Sequence, residues 1–213
     1  MEREFIKAAR KGNLELVESY IEQGISLESM DQYGWTALML AAWLGHNQVV
    51  EWLLSKGANV DATSQTGCTA LIGAARCGHT QVVEMLLSNG ANVDATIQNG
   101  FMKGYTALMF AVRSGCTQIV ELLLSNDANV NATDAWENTA LIMAEWNLDR
   151  VDQILNVTDS CEHAALRLEY LQIIALIQRH ITKRNEDHVR ACLHINHGVY
   201  ISDDLIPSIA SFL

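Results

Sequence analysis

Apolar residues recur along this chain at helical spacing, in short paired stretches separated by glycine. Between residues 64 and 96, the first stretch holds Ala70, Leu71, Ala74 and Ala75. The second stretch has the same spacing and carries larger side chains: Val82, Val83, Met85, Leu86 and Leu87. Because residues three and four apart lie on one face of a helix, this segment is predicted to form two short amphipathic helices.

Polar residues and glycines mark the ends of these two helices. Thr69 can cap the first helix through its hydroxyl, and Gly78 can end that helix in the left-handed conformation. Thr80 can cap the second helix, and Gly90 can end it. Gly67 lies in the preceding turn, where the backbone needs a positive φ. The predicted unit is therefore a hairpin turn, a helix, a tight turn and a second helix.

The same unit occurs at least three times. Its opening runs are Gly34-Trp-Thr-Ala-Leu-Met-Leu-Ala-Ala42, Gly67-Cys-Thr-Ala-Leu-Ile-Gly-Ala-Ala75 and Gly104-Tyr-Thr-Ala-Leu-Met-Phe-Ala-Val112. The first two runs are 33 residues apart, and the third begins four residues late. A period of this length indicates a stack of units, none of which can bury its apolar face alone.

The repeated unit resembles the ankyrin repeat over roughly residues 2 to 156. The resemblance rests on the Gly-x-Thr-x-Leu-x-x-Ala-Ala run, the Gly-His pairs at 45–46 and 78–79, the Val-Val-x-x-Leu-Leu helix and the Gly-Ala-Asn-Val-Asp tail. It implies an all-α solenoid of helix-turn-helix units with short hairpin fingers. The family motif Thr-Pro-Leu-His reads Thr-Ala-Leu-Met or Thr-Ala-Leu-Ile here, a variant that resembles ankyrin proteins of intracellular bacteria and protists. Since proline preforms a helix start and histidine adds a hydrogen bond, we expect weaker stability per repeat.

We divide the chain into an ankyrin-repeat domain over residues 1–156 and a helical C-terminal extension over residues 157–213. The domain comprises an N-terminal cap at 1–30, repeats at 31–63, 64–96 and 97–133, and a degenerate repeat at 134–156. The four extra residues of the third repeat should lengthen one finger, around 99–103, without breaking the stack.

The extension does not repeat anything before it. A long helix is predicted from Ser160 through about Lys183, with Leu168, Leu171 and Ile174 among the apolar residues that cover the end of the stack. Shorter helices are predicted at 186–195 and from 203 or 204 onward. Alternatively, the extension recruits other machinery such as a ubiquitin ligase, because residues 205–209 resemble the F-box-like tails of some viral and bacterial ankyrin proteins.

Composition limits the classes of partner and the cellular compartment that we expect for this protein. The net charge of −11 disfavours binding to nucleic acid or to anionic membranes and leaves room for a basic partner. Glu51, Glu84 and Glu121 occupy equivalent positions of the second helices, as expected of a solvated convex face. No apolar stretch reaches the length of a spanning helix. The five cysteines are odd in number and unpatterned, so we expect reduced thiols, a cytoplasmic monomer and, for a bacterial effector, delivery into a host cell.

No motif in the chain argues for catalysis. Metal-ligating residue types cluster at His188, Cys192, His194 and His197, but their spacing matches no zinc pattern. No glycine-rich phosphate loop follows a predicted strand. We therefore expect a noncatalytic protein with no cofactor and no metal.

Comparison of the repeats separates scaffold positions from variable ones. The resemblance implies that the variable positions, beside the turn glycine and before the glycine that ends the first helix, line the concave face and the finger tips. The candidate partner-binding residues at and around these positions are Tyr33, Trp35, Trp43, Leu44, Arg76, Phe101, Met102, Tyr105, Arg113, Trp136 and Trp146. Trp, Tyr and Arg dominate binding hot spots, so a contact face is predicted here. The remaining tryptophan, Trp52, aligns with core positions.

Two interpretations of these aromatic residues stay open beside the main one. Trp35, Trp43 and the acidic Asp31 could form a cage for methylated lysine. Trp136 and Trp146 could instead pack on neighbouring hairpins or on the extension. The interpretation that the sequence favours is a noncatalytic adaptor that binds a protein or peptide in the concave groove of an ankyrin stack.

Overall fold

The chain folds into a two-layer stack of α-helices. The computed structural model describes residues 1–155 and 161–195, and side chains for 1–153, 164–185 and 187. The helices are α1 (Glu2–Arg10), α2 (Leu14–Glu22), α3 (Ala37–Trp43), α4 (Asn47–Ser55), α5 (Ala70–Cys77), α6 (Thr80–Ser88), α7 (Ala107–Arg113), α8 (Thr117–Ser125), α9 (Ala140–Leu155) and α10 (Cys161–Ile195). Within these ranges there is no strand, only two isolated bridges at finger bases, so the predicted all-α repeat solenoid is confirmed.

The core lies between an inner and an outer layer of helices. Helices α1, α3, α5, α7 and α9 contact one another in order and form the inner layer, while α2, α4, α6 and α8 form the outer layer. The inner helices α3, α5 and α7 are rich in alanine and almost wholly buried; in α3 every residue from Ala37 to Ala42 is buried. Small side chains let neighbouring helices approach closely, so each repeat completes the core of the next.

Threonine begins the inner helices, as the sequence predicts. The hydroxyl of Thr69 accepts a hydrogen bond of 3.2 Å from the backbone N–H of Ile72, and the equivalent threonines of the other repeats do the same. The outer helices begin differently. His79 is the N-cap of α6 and Thr80 is its first helical residue, so the predicted hydroxyl cap at Thr80 is wrong.

Histidine side chains tie neighbouring repeats together at the ends of the inner helices. The Nε2 atom of His46 lies 3.0 Å from the carbonyl oxygen of Arg10, and Nε2 of His79 lies 3.1 Å from that of Trp43. Because a carbonyl oxygen can only accept, this nitrogen is the donor in both pairs.

The next two inner helices use other side chains for the same contact. Cys116 stands in the histidine position of the third repeat, and the Ser114 hydroxyl donates instead to the Arg76 carbonyl oxygen at 3.1 Å. The carbonyl oxygen of Arg113 accepts from the Tyr170 hydroxyl of α10 at 3.3 Å. Helix α10 also contacts α8 and α9, so it takes the outer-layer position of the last repeat.

The four extra residues of the third repeat are confined to its finger, as predicted. In the first finger the N–H of Asp31 donates to the carbonyl of Trp35, and in the third the N–H of Ile97 donates to that of Tyr105. The third finger therefore closes with four more residues inside it. Helix α7 then begins at Ala107 in register with the other inner helices.

The last repeat departs from the predicted pair of helices. Helix α9 runs through 16 residues without interruption. Leu148 stands at the position of Gly78 and Gly115, which both have positive φ and end their helices or begin the following turn. Since Leu148 does not favour that conformation, the helix continues.

The extension also differs from its prediction. Helix α10 is continuous over 35 residues, and the predicted break after Lys183 is wrong because neither glycine nor proline occurs there. The predicted face is wrong for two of its residues, since Leu168 and Leu171 are 57% and 38% exposed, whereas Ile174 is partly buried against the core as predicted. The buried side chains lie on the other face and are Tyr170, Ile173 and Ile177. Residues 203–213 and their proposed helix lie outside the described residues.

Candidate partner-binding surface

Four equivalent residues lie at or next to the ends of helices α1, α3, α5 and α7, and a fifth lies one period later within α9; together these five residues form what we call the inner row. Its members are Arg10, Trp43, Arg76, Arg113 and Trp146. The first four are the residues whose carbonyl oxygens are bound from the next repeat, which establishes their equivalence. Trp146 follows Arg113 by one period in α9. All except the partly buried Trp43 are exposed.

Arg76 is held between two aromatic rings of the neighbouring repeats. Its guanidinium carbon lies 4.9 Å from the centroid of Trp43 and 5.5 Å from that of Phe110. These are cation–π distances, and the two contacts restrict where the guanidinium can move. Among the described residues no salt bridge engages the N–H donors of this group.

The Trp43 ring packs against neighbouring residues and is not freely exposed. It meets Trp35 edge to face, with ring centroids 5.3 Å apart and an interplanar angle of 85°. Gly73 lies against its other side, where a Cβ atom would come within 3.1 Å of the ring. Both tryptophans are partly buried against the core. Their arrangement is therefore fixed before any partner arrives.

These rings form one side of a cleft of about 410 Å³. Its lining is mostly apolar and consists of Arg10, Asp31, Tyr33, Trp35, Leu40, Trp43 and Leu44. An Oδ atom of Asp31 accepts hydrogen bonds from the backbone N–H groups of Tyr33 and Trp35 at 2.8 and 3.0 Å. A second cleft, of about 300 Å³, adjoins the first and shares Arg10, Asp31 and Tyr33 with it.

The long third finger contributes a second group of candidate residues. Phe101 at its tip is 78% exposed, and its ring centroid lies 4.8 Å from that of Trp136 on the next finger. Met102 receives the Nη1–H of Arg113 at its sulfur, 3.6 Å away. Trp136 thus packs on a neighbouring hairpin, as one of the hypotheses states, but half of the residue stays exposed.

A line of ring contacts runs from the first cleft to Tyr105, at the base of the third finger. Trp35 contacts Trp43, Arg76 bridges Trp43 and Phe110, and the Tyr105 ring lies 5.1 Å from Phe110. The line does not reach Tyr33 and Leu44, which line the first cleft, or the separate pairs Phe101–Trp136 and Met102–Arg113. It also does not reach Trp146, which is 57% exposed and makes no ring contact among the described residues.

Sequence reasoning missed two residues of this surface and misplaced a third. Arg10 is absent from the candidate residues, although the 33-residue period places it one repeat before Trp43. Phe110 is also absent from the candidate residues; it is buried, and its ring supports Arg76. Trp52 is partly buried on α4 with the Lys56 ammonium 5.3 Å from its ring, so its assignment to the core is only half right.

Charge is distributed unevenly between the two faces. Glu51, Glu84 and Glu121 are exposed on the outer helices α4, α6 and α8, as expected. The inner row carries three arginines and no carboxylate. Among the described residues the salt bridges are Lys7–Glu4 and Arg167–Asp152, and neither involves the inner row.

The thiols near this surface are not activated. Burial raises the pKa of the Cys68 thiol to about 11, and burial also raises the pKa values of Cys77 and Cys116. All three cysteines are free and remain protonated near neutral pH. Within the described side chains there is no cluster of metal-ligating groups. The side chains of His188, Cys192 and His194, and all of His197, lie outside them.

None of the helices in the described part of the chain is both long and apolar enough to cross a lipid bilayer.

Two family models match this chain. A model described as ankyrin repeats (3 copies) matches residues 5–97, and a model described as ankyrin repeat matches residues 103–135. The chain is also similar to two curated proteins called ankyrin repeat, SAM and basic leucine zipper domain-containing protein 1, from Ovis aries and Bos taurus. Each is 53% identical over 38 residues, or 18% of this chain. The chain spans only 8% of the length of these relatives.

The family matches agree with the architecture. Together they cover more than half of the chain, and they extend over the helices of α1 to α8 that form the regular stack. Ankyrin repeats are a protein–protein interaction module, and proteins built from them are generally noncatalytic scaffolds. The chain belongs to the ankyrin-repeat family.

Proposed function

We propose that this protein is a noncatalytic adaptor whose concave face binds a segment of another protein. The observation that carries the proposal is the line of contacts from Trp35 through Trp43, Arg76 and Phe110 to Tyr105. Trp, Tyr and Arg are the residue types that dominate binding hot spots. Here they lie side by side on the face that the inner helices present.

The arrangement suits binding because its residues are held in place in the free chain. Immobilising a flexible side chain on association costs about 0.5–1.5 kcal/mol, and a side chain already fixed by packing avoids much of that cost. Arg76 is fixed by two rings, and Arg113 by the sulfur of Met102. The adjacent apolar cleft offers a place for one anchoring side chain of the partner.

No observation favours the alternative functions. A methyl-lysine cage needs open ring faces around the cation, whereas a face of Trp43 carries the Arg76 guanidinium and Trp35 meets Trp43 through an edge. The residues that suggest ubiquitin-ligase recruitment, 205–209, lie outside the described ones. A role as an effector in a host cell has no support in relatives that the chain matches over 38 residues.

We further propose that the adaptor works as a monomer in a reducing compartment such as the cytoplasm and binds neither nucleic acid nor membranes. The support is the net charge of −11, which repels phosphate backbones and anionic lipid, and the free state of Cys68, Cys77 and Cys116.

Selection of random linear peptides on the intact chain tests this function. We expect peptides to be enriched whose binding weakens in Tyr33→Ala and Arg113→Ala, because both side chains are exposed on the concave side and neither is part of the core. Glu84→Ala on the outer helix α6 is the matched control and should bind normally. Absence of any enriched peptide, or equal binding by all three variants, would contradict the proposal.

A further inference from the structure

We propose that the partner segment is acidic, and that its carboxylates pair with the three inner-row arginines while an apolar side chain enters the cleft beside Trp43. This inference rests on the proposed function and adds the chemistry of the partner. It departs from the expectation of a basic partner, which follows from net charge alone.

The position of the charges, rather than their sum, carries the inference. The excess of acidic residues includes the glutamates of the outer layer, which face away from the groove. On the inner row Arg10, Arg76 and Arg113 are exposed, and none has a carboxylate within salt-bridge distance among the described residues. Two acidic residues line clefts that include Arg10: Asp31, one of whose oxygens is engaged by two backbone N–H groups, and Glu2, which lines the second cleft together with Arg3 and Lys7.

The arginines are also presented in a manner that favours carboxylates. A guanidinium offers planar pairs of N–H donors that match the two oxygens of a carboxylate. Trp43 and Phe110 hold the Arg76 guanidinium, and its N–H donors make no hydrogen bond among the described residues. Arg113 uses one Nη1 hydrogen on the weak acceptor sulfur of Met102, and a carboxylate would be a stronger acceptor.

The spacing of the inner row defines a motif for the partner. Neighbouring helices pack with their axes about 8–10 Å apart, so successive members of the row are separated by roughly that distance. An extended chain advances about 10 Å in three residues. An extended segment therefore matches the row if it carries two carboxylates three residues apart, one opposite Arg113 and the next opposite Arg76. Three residues further on, an apolar side chain would lie at Trp43, and three beyond that, another carboxylate would lie at Arg10.

The peptides selected on the intact chain provide the probe. We expect them to carry Asp or Glu at every third position around an apolar anchor. Replacing one such residue by its amide should weaken binding roughly 10- to 100-fold, which corresponds to the loss of a charged hydrogen bond. Arg113→Gln should weaken binding by the same factor and make the amide replacement opposite it neutral. Lys56→Gln, the same change of charge at the end of the outer helix α4, should leave binding unchanged.

Two results would overturn the inference, and they are distinguishable. If the selected peptides are basic or uncharged, and their binding still depends on Tyr33, the proposed function stands and the acidic partner is wrong. If no peptide is enriched, both fail. A single charge reversal gives an independent readout: Arg113→Glu should reject the acidic peptide and accept a version with Lys opposite that position. Unchanged preference for the acidic peptide would also overturn the inference.

Discussion

At the scale of single residues, the glycines of the fingers have two distinct roles. Gly67 has φ +82° and Gly90 has φ +80°, so both need the left-handed conformation. A Cβ atom on Gly67 would lie 2.6 Å from the Cγ of Gln98 and 2.8 Å from its backbone nitrogen, because the next finger packs there. A Cβ atom on Gly90 would meet nothing within 4 Å. Close packing of one finger on the next therefore depends on Gly67 alone of the two.

This difference predicts unequal effects of the same substitution. Both Gly67→Ala and Gly90→Ala should cost roughly 1–2 kcal/mol for the left-handed backbone. Gly67→Ala should cost clearly more, because the Gln98 backbone must also shift. Denaturant unfolding of both variants measures the two free energies. Equal losses would mean that the fingers do not pack as closely as described.

Glu137 is a non-glycine residue at the position that glycine occupies in the other fingers, and its φ is +64°. It belongs to the last finger, so no further finger of the described chain packs against it, and the steric reason for glycine is absent. The backbone reason remains, so Glu137→Gly should stabilise the protein by about 1 kcal/mol. A thermal melt checks this, and an unchanged or lower melting temperature would contradict it.

At the scale of elements, α10 completes the stack through one face only. Ile173 and Ile177 are buried against the repeats, and Tyr170 donates to the Arg113 carbonyl. Ile173→Ala should therefore cost about 2–5 kcal/mol of stability through the cavity it leaves. Leu168→Ala removes a side chain that is 57% exposed and should cost much less. Urea unfolding of the pair tests the orientation of α10, and a larger loss from Leu168→Ala would show that the helix is rotated.

Removing α10 altogether should destabilise the repeats that it covers. Each apolar side chain it buries is worth roughly 1.5–3 kcal/mol, and the Arg113 carbonyl would lose its donor. A chain that ends at Asn156 should melt at a lower temperature or aggregate. Melting like the full chain would mean that residues 157–213 form an independent module, which would strengthen the recruitment alternative.

The helix pairs were predictable because each repeat carries its own start and stop signals. Thr69 and Gly78 define one helix without help from the rest of the fold. The end of the stack was less predictable, since α9 has Leu148 in place of such a glycine and α10 has apolar residues on two faces. The buried face of α10 is the one that carries Tyr170, which bonds to Arg113. The repeat pattern does not extend to α10 and so could not indicate this face.

At the scale of the whole molecule, the outer and inner layers expose different kinds of side chain. The outer layer presents glutamates, and the inner row presents arginines and tryptophans. Net charge does not describe this separation, so an expectation from net charge alone favours a basic partner, while the inner row favours the acidic one that we propose. Repeat alignment did predict most members of the candidate surface. It missed the support that Phe110 gives to Arg76, because side-chain contacts between repeats are set by packing rather than by period.

The most direct test of the central claim is hydrogen–deuterium exchange of the intact protein with and without a selected peptide. We expect slower exchange in the first and third fingers and at the ends of α3, α5 and α7, because these segments carry Tyr33, Trp43, Arg76, Tyr105 and Arg113. The outer helices α4, α6 and α8 should exchange as in the free protein. Protection confined to the outer helices or to α10 would contradict the account, since the partner would then bind away from the concave face.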